Sequence, residues 1–275
     1  MKILIRFIIL ILILIFVFLF YLSFYGIETR LFNKTIQNKV KSIDSDLVLL
    51  FSKTKIVLDI RSIQLKVRFY EPSIGTKNNQ ILLNKLSSNI SIRSILEREF
   101  ALKNIKIRIK NEDIIKVVDI GNKIKKNVNL LLLKQLIDSG KLNSEISINF
   151  DSDGKIRDDF KIKISVFNAN INFLDKYKFK KINADINIEK NLYNIYFKKI
   201  LFLGVNFSSS VVELNTDKDG LDLKGNLISK AKNLEKKEIS NILKLISKDF
   251  NQNTSDLSFD LSSKINLKLN NYFKL

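Results

Sequence analysis

Asp151, Asp153 and Gly154, followed by Ile156, carry the D-x-D-G-x-I spacing of a calcium loop, in which alternate carboxylates aim at one ion and glycine allows the sharp turn. The rest of the loop does not follow. Its first position is Asn149, the position that should supply a bidentate Glu is Phe160, and the flanking residues alternate as strands do, so the segment reads as a plain Asp-Gly hairpin turn. Asp158 and Asp159 could join Asp151 or Asp153 as a carboxylate pair for acid/base work. No nucleophile, oxyanion donor or glycine loop lies near them in sequence, and they read as solvated turn residues. The chain has no cysteine and no histidine, which removes thiolate and imidazole metal sites, cysteine nucleophiles and histidine-based triads. The expectation is a protein that is not an enzyme, with no catalytic residue, no cofactor and no metal.

Lys and Arg number 47 against 28 Asp and Glu, a formal charge of +19 that raises the question of nucleic acid or an anionic membrane. The same sequence is saturated with Ile, Lys, Asn and Phe and poor in Gly (8), Pro (1) and Trp (0), a bias that drift towards A- and T-rich codons would produce. Lys161, Lys163, Lys178, Lys180 and Lys181 could form a strip facing lipid headgroups, but strands need a polar face and this composition fills it with Lys and Asn. Tyr193, Tyr196, Phe197 and Phe202 do not interleave with basic residues as a base-stacking platform would, so no nucleic-acid partner is expected. The absence of cysteine assigns no compartment.

The elements that must position any site start with a span. From Phe7 to Tyr25 only Ser23 is clearly polar, and at about 1.5 Å per residue the stretch crosses a hydrocarbon core of roughly 30 Å. It runs on into bulky Phe24, Tyr25 and Ile27 rather than a small-x-small cleavage site, which points to an uncleaved single-pass anchor. Lys2 and Arg6 precede it, while Arg30 and Lys34 follow it mixed with Glu28, so the positive-inside bias puts the N-terminus in the cytoplasm and the body outside. Ile27, Leu31, Ile36, Val40 and Ile43 then predict an amphipathic helix.

Period-2 alternation follows in Ile56, Leu58 and Ile60; in Ile63, Leu65, Val67 and Phe69; and in Ile105, Ile107 and Ile109. A short helix over 91–99 and a mostly helical stretch over 111–137, ended by Gly140, interrupt it. With 45% hydrophobic residues the chain can bury a sizeable core. A second strand-rich block runs through Ile146 to Phe150, Phe160 to Val166, Ala184 to Ile188, Tyr193 to Phe197, Leu201 to Phe207 and Leu221 to Leu223. A helix marked by Ile239, Ile242, Leu243, Ile246 and Phe250 separates it from alternation over Leu257 to Leu269. The predicted fold class is mainly β with a few helices: an N-terminal transmembrane helix, then an elongated antiparallel β-meander forming a curved or groove-like sheet. The domains expected are an anchor (1–26), a first strand and helix block (27–140), and a second β-meander block with one amphipathic helix (141–275).

The apolar face of that second meander is the candidate site. Left partly uncovered, it becomes a groove lined by Phe160, Ile162, Ile164, Val166, Ile186, Ile188, Tyr193, Ile195 and Phe197 that acyl chains could occupy; fully covered, it is a core. Helical segments are few relative to strands, which leaves room for the groove. The C-terminal strand, if unpaired, is an edge that invites pairing with a sheet of another protein.

Four stretches stand together in order: the anchor, the segment Gly26, Thr29, Phe32, Asn33 and Ile36, the strand pair Lys55–Asp59 and Ser62–Val67, and the stretch from Asn149 through Asp151, Asp153, Gly154 and Ile156 to Phe160. With these residues the order of features resembles the AsmA-like family of bacterial envelope proteins, which includes the AsmA, TamB and YhdP groups. The resemblance implies a single pass through a bacterial inner membrane with a periplasmic body built as a twisted β-groove. It also implies handling of phospholipid or another acyl lipid between membranes, support of outer-membrane biogenesis, and no catalytic residues. YhdP-type members are several times longer, so the chain is expected to be a fragment or a short member.

Overall fold

The computed structural model describes residues 2–30, 33–42, 44–77, 79–97, 102–173, 177–203, 205–208, 210–216, 220–234, 240 and 257–270. It is mainly β, with one N-terminal apolar helix and a long antiparallel meander forming a sheet. The helix predicted around Ile239 to Phe250, and the Leu31 and Ile43 ends of the first amphipathic pattern, lie outside the described residues.

The chain divides into two compact units, residues 1–109 with 146–160, and residues 110–145 with 161–275. The boundary expected at 140/141 falls inside a strand.

In the first unit, α1 (Lys2–Phe24) is long and apolar enough to cross a membrane, and its side chains from Ile3 to Tyr21 are all exposed. Gly26 stops it. The amides of Tyr25 and Gly26 both donate to the Tyr21 carbonyl, at 2.9 and 3.2 Å. Gly26 holds φ +70°, and a Cβ there would come 2.6 Å from the Ile56 carbonyl oxygen, so this elbow takes only glycine. The chain then enters β1 (Ile27–Thr29), where the sequence pattern predicts a helix; the helix is confined to α2 (Asn33–Lys41). The strands β2 (Val48–Leu50), β3 (Thr54–Asp59), β4 (Gln64–Phe69), β5 (Ser73–Thr76) and β6 (Asn79–Ser91) follow. The short α3 (Ile92–Leu96) and β7 (Leu102–Asp113) complete this run.

The sheet order in this unit is β1-β3-β4-β6-β7, and β6 also takes β5, which pairs with β2. Leu47, Leu49, Phe51, Leu58, Val67, Ile81, Leu83 and Leu86 are its buried core, with Phe51 edge-on to Phe69 at 4.9 Å. Ile60 and Ile63, expected in strands, sit in the turn between β3 and β4, Ile63 at φ 50°.

In the second unit, the stretch expected to be helical resolves into two helices. Asn111 to Asp113 still belong to β7; α4 (Ile114–Ile124) and α5 (Val128–Leu136) follow. The Asp113 carboxylate accepts from the amides of Ile115 and Lys116, at 2.8 and 3.2 Å, and Asn127 caps α5 by accepting from Asn129 at 2.8 Å. Gly140 does not end the helical layer. It lies within β8 (Ile137–Asn149) at φ +143°, where a Cβ would sit 2.7 Å from Ala169 Cα and 2.8 Å from Ile114 Cδ1. Glycine is needed because a helix and a neighbouring strand press on that backbone.

Beyond it run β9 (Lys161–Phe173), β10 (Tyr177–Glu189), β11 (Leu192–Phe202), β12 (Val205–Phe207), β13 (Ser210–Thr216), β14 (Gly220–Leu234) and β15 (Leu257–Asn270). Antiparallel pairing joins β9 to β10 and β10 to β11. The two halves of β11 then pair with β13 and β12, both of these pair with β14, and β14 pairs with β15.

Candidate functional site

The Asp151 to Gly154 segment is a hairpin turn in the first unit. Asp151 Oδ1 accepts from the amides of Asp153 at 3.0 Å and Lys155 at 2.8 Å, while the Asp151 amide donates to the Lys155 carbonyl at 3.0 Å. Phe150 and Ile156 bridge across its base. Phe160 lies in the same unit, in the loop just before β9, half-buried and outside the strand it was expected to open.

The other eight predicted lining residues lie on one face of the second unit, and the strand register sets them in rows. Ile162 faces Ile188, which faces Tyr193 on the next strand; Ile164 faces Ile186, which faces Ile195; Val166 faces Ala184, which faces Phe197. The rows do not stop there. Tyr193 continues to Leu214, Leu223 and Leu267; Ile195 continues to Val212, Gly225 and Ile265; Phe197 continues to Ser210. Six strands thus share one apolar floor, about 24 Å across at about 4.8 Å per strand, with rows about 6.6 Å apart. Leu223, Ile265 and Leu267 were legible as strand residues but not as part of this face. Val212 and Leu214 were missed altogether, although their alternation about Glu213 was the signal that could have found them.

Burial grades along the floor. Ile162, Ile164, Ile186, Ile188, Tyr193, Ile195, Phe197, Val212, Leu214, Leu223, Ile265 and Leu267 are half-buried. Towards the α4 side Ala169, Ile182 and Ala184 are buried, as are Val205, Ser210 and Ser229 elsewhere on the floor. Ile114 of α4 and Ala169 close on Gly140 there, and α5 packs against β9. The Ser210 hydroxyl accepts from the Ile228 amide at 2.9 Å, and the Ser229 hydroxyl donates to the Asn206 carbonyl at 3.0 Å, so these two buried hydroxyls are satisfied by neighbouring strands. Phe179 stacks on Phe202 at 4.5 Å.

The opposite face is mostly polar, although Leu192, Tyr196 and Val211 are exposed on it. Lys161 pairs with Glu189 at 3.1 Å and Lys198 with Asp185 at 2.6 Å, and the Ser165 hydroxyl donates to Asp185 at 2.8 Å. The hydrogen bond from Lys198 holds the Asp185 carboxyl below the ordinary carboxylate range; partial burial opposes the shift and Ser165 assists it. Lys161, Lys163, Lys178, Lys180 and Lys181 are all exposed, as a solvated strand face requires.

Among the described residues no group of three or more carboxylates gathers as a metal site would need. Comparison with family models, with curated proteins and with solved structures finds no match. The reading of this site therefore rests on its own geometry.

Proposed function

We propose that the chain is a single-pass, membrane-anchored envelope protein without catalytic activity, whose second unit takes acyl chains of phospholipid, or of another acyl lipid, on its apolar floor and thereby supports outer-membrane biogenesis. One observation carries the reading: a registered apolar face six strands wide stays half-buried along Ile162, Ile164, Ile186, Ile188, Tyr193 and Ile195 instead of closing into a core. Most polar groups of the strands are spent on backbone pairing and on the opposite face, and the buried hydroxyls of Ser210 and Ser229 are bonded to backbone, so an occupant of the floor meets mainly hydrocarbon. The resemblance to the AsmA-like family supports the same reading. With it go an inner-membrane location, a cytoplasmic N-terminus and a periplasmic body, to which Lys2 and Arg6, at the start of α1 and ahead of its apolar run from Phe7, add the charge argument.

A second reading, a non-enzymatic periplasmic scaffold pairing with other envelope proteins through sheet edges, is favoured by β15, which among the described residues pairs with β14 alone.

The test places a photo-crosslinking amino acid at Ile186 or at its neighbour Asn187, which faces the other way, in the full chain within its membrane. Lipid adducts at 186 and not at 187, read by mass spectrometry, support the first reading. Adducts at neither position, with protein adducts from the same amino acid placed at the exposed Asn266 of β15, support the second.

A further inference from the structure

We propose that the tip of the α4–α5 hairpin is a docking element for an anionic lipid bilayer, independent of whether acyl chains occupy the sheet. The helix α5 wears its apolar residues outward. Val128, Leu131 and Leu132 recur at the i, i+3, i+4 spacing of one helical face and are 70%, 47% and 52% exposed, and Ile124 at the end of α4 is 45% exposed. None of the residues of α5 is buried. Leu130 fills the inner side instead, where it lies over Gly121. An outward apolar face on a short capped helix costs stability in water and needs an apolar phase to bury it.

The charges around this face select the phase. Between Ile120 and Leu136 the sequence holds four lysines and no acidic residue. Lys125 and Lys126 form the joint between the two helices and are exposed, set in sequence between Ile124 and Val128. Lys134 is paired with Asp119 at 2.7 Å, which links α5 to α4. Apolar side chains beside exposed lysines match the boundary of an anionic bilayer, where leucines enter the acyl region and ammonium groups meet phosphates. A second copy docking symmetrically on the same face would bring like charges together, which disfavours it.

The chain has no cysteine, so Leu132→Cys gives one labelling site. The full chain carrying a nitroxide there, held in phosphatidylcholine nanodiscs, is mixed with vesicles of phosphatidylglycerol or of phosphatidylcholine. With phosphatidylglycerol the label loses mobility and becomes accessible to oxygen rather than to aqueous nickel. Phosphatidylcholine requires at least about tenfold more lipid for the same change, and Lys125→Glu with Lys126→Glu weakens the phosphatidylglycerol response at least about tenfold. A label on Lys155→Cys, in the hairpin turn of the first unit, stays mobile throughout. A label on Leu132→Cys that remains mobile and water-accessible with phosphatidylglycerol overturns the proposal. So does a label sheltered before vesicles are added, whether the shelter depends on protein concentration, as for a second copy, or not, as for a cover within the chain or a zwitterionic bilayer.

Discussion

Asn111 in β7, Asn168 in β9 and Lys181 in β10 hold left-handed backbone, at φ 55°, 49° and 53°, in the interior of long strands. Each amide is taken by an asparagine side chain: Asn111 donates to Asn143 Oδ1 at 2.8 Å, Asn168 to Asn183 Oδ1 at 2.8 Å, and Lys181 to Asn170 Oδ1 at 3.1 Å. Composition made these asparagines look like codon drift, yet they satisfy the amides of left-handed residues, two of which, Asn168 and Lys181, sit at bulges of the β9–β10 ladder. The bulges also keep the floor on one face. Val166 and Ala169, three residues apart, face Ala184 and Ile182, two apart; β10 then inserts its own extra residue before Phe179 meets Ile171. Asn183→Ala should cost about 1–2 kcal/mol, whereas Asn168→Gly should be neutral or stabilising by up to about 1 kcal/mol through relief of the left-handed backbone. Thermal unfolding of the full chain in micelles, followed by circular dichroism, measures both, and an unchanged midpoint for Asn183→Ala would refute the stapling role. Asp185 supplies a pH signature. Its folded carboxyl titrates below the ordinary value of about 3.9, so its contribution is fully present above that pH and disappears as pH falls through the folded value. The pair is half exposed, which limits the effect to less than about 1 kcal/mol. Asp185→Asn should therefore flatten the acid limb of the melting-temperature profile below about pH 4 and change little at pH 7.

At the scale of elements, α1 and the elbow at Gly26 decide where the body starts. Replacing Leu12 and Ile15 with Arg puts two charges mid-span at roughly 2.5–3.5 kcal/mol each, and membrane retention should fail. A variant that still resists carbonate extraction would show that α1 is not the anchor. This helix was legible in the sequence because an uninterrupted apolar run has few other uses. The strands were legible for the same kind of reason, since alternation reports which face a side chain takes. Alternation does not report where a strand breaks when the turning residue is itself apolar. Leu201, Leu203, Val205 and Phe207 read as one strand, but the chain turns at Leu203, φ 52°, and Val205 opens the separate β12. Ile63 hid the turn before β4 in the same way. Gly140 misled because its need for space comes from Ala169 and Ile114, which are distant in sequence.

For the molecule as a whole, the decisive question is what occupies the floor of the second unit. Ile164 and Ile195 flank Ile186 in one row of half-buried side chains. A carboxylate set there faces either acyl chains, which it repels, or water, which solvates it when the floor is empty. Under the lipid reading, Ile164→Asp with Ile195→Asp should lower the yield of lipid adducts from a crosslinker at 186 by roughly tenfold, because burying an unpaired charge in hydrocarbon is penalised far more than wetting it. Folding should survive, with a melting temperature lowered by only a few degrees. If the face were instead an ordinary core closed by the rest of the chain, the same carboxylates would be trapped without partners, each at several kcal/mol, and the body would unfold. The parent chain would then give no lipid adduct at 186. The two readings thus separate on two measurements in one pair of proteins: unfolding without lipid in the parent defeats the acyl-chain reading, and loss of lipid from a folded variant supports it.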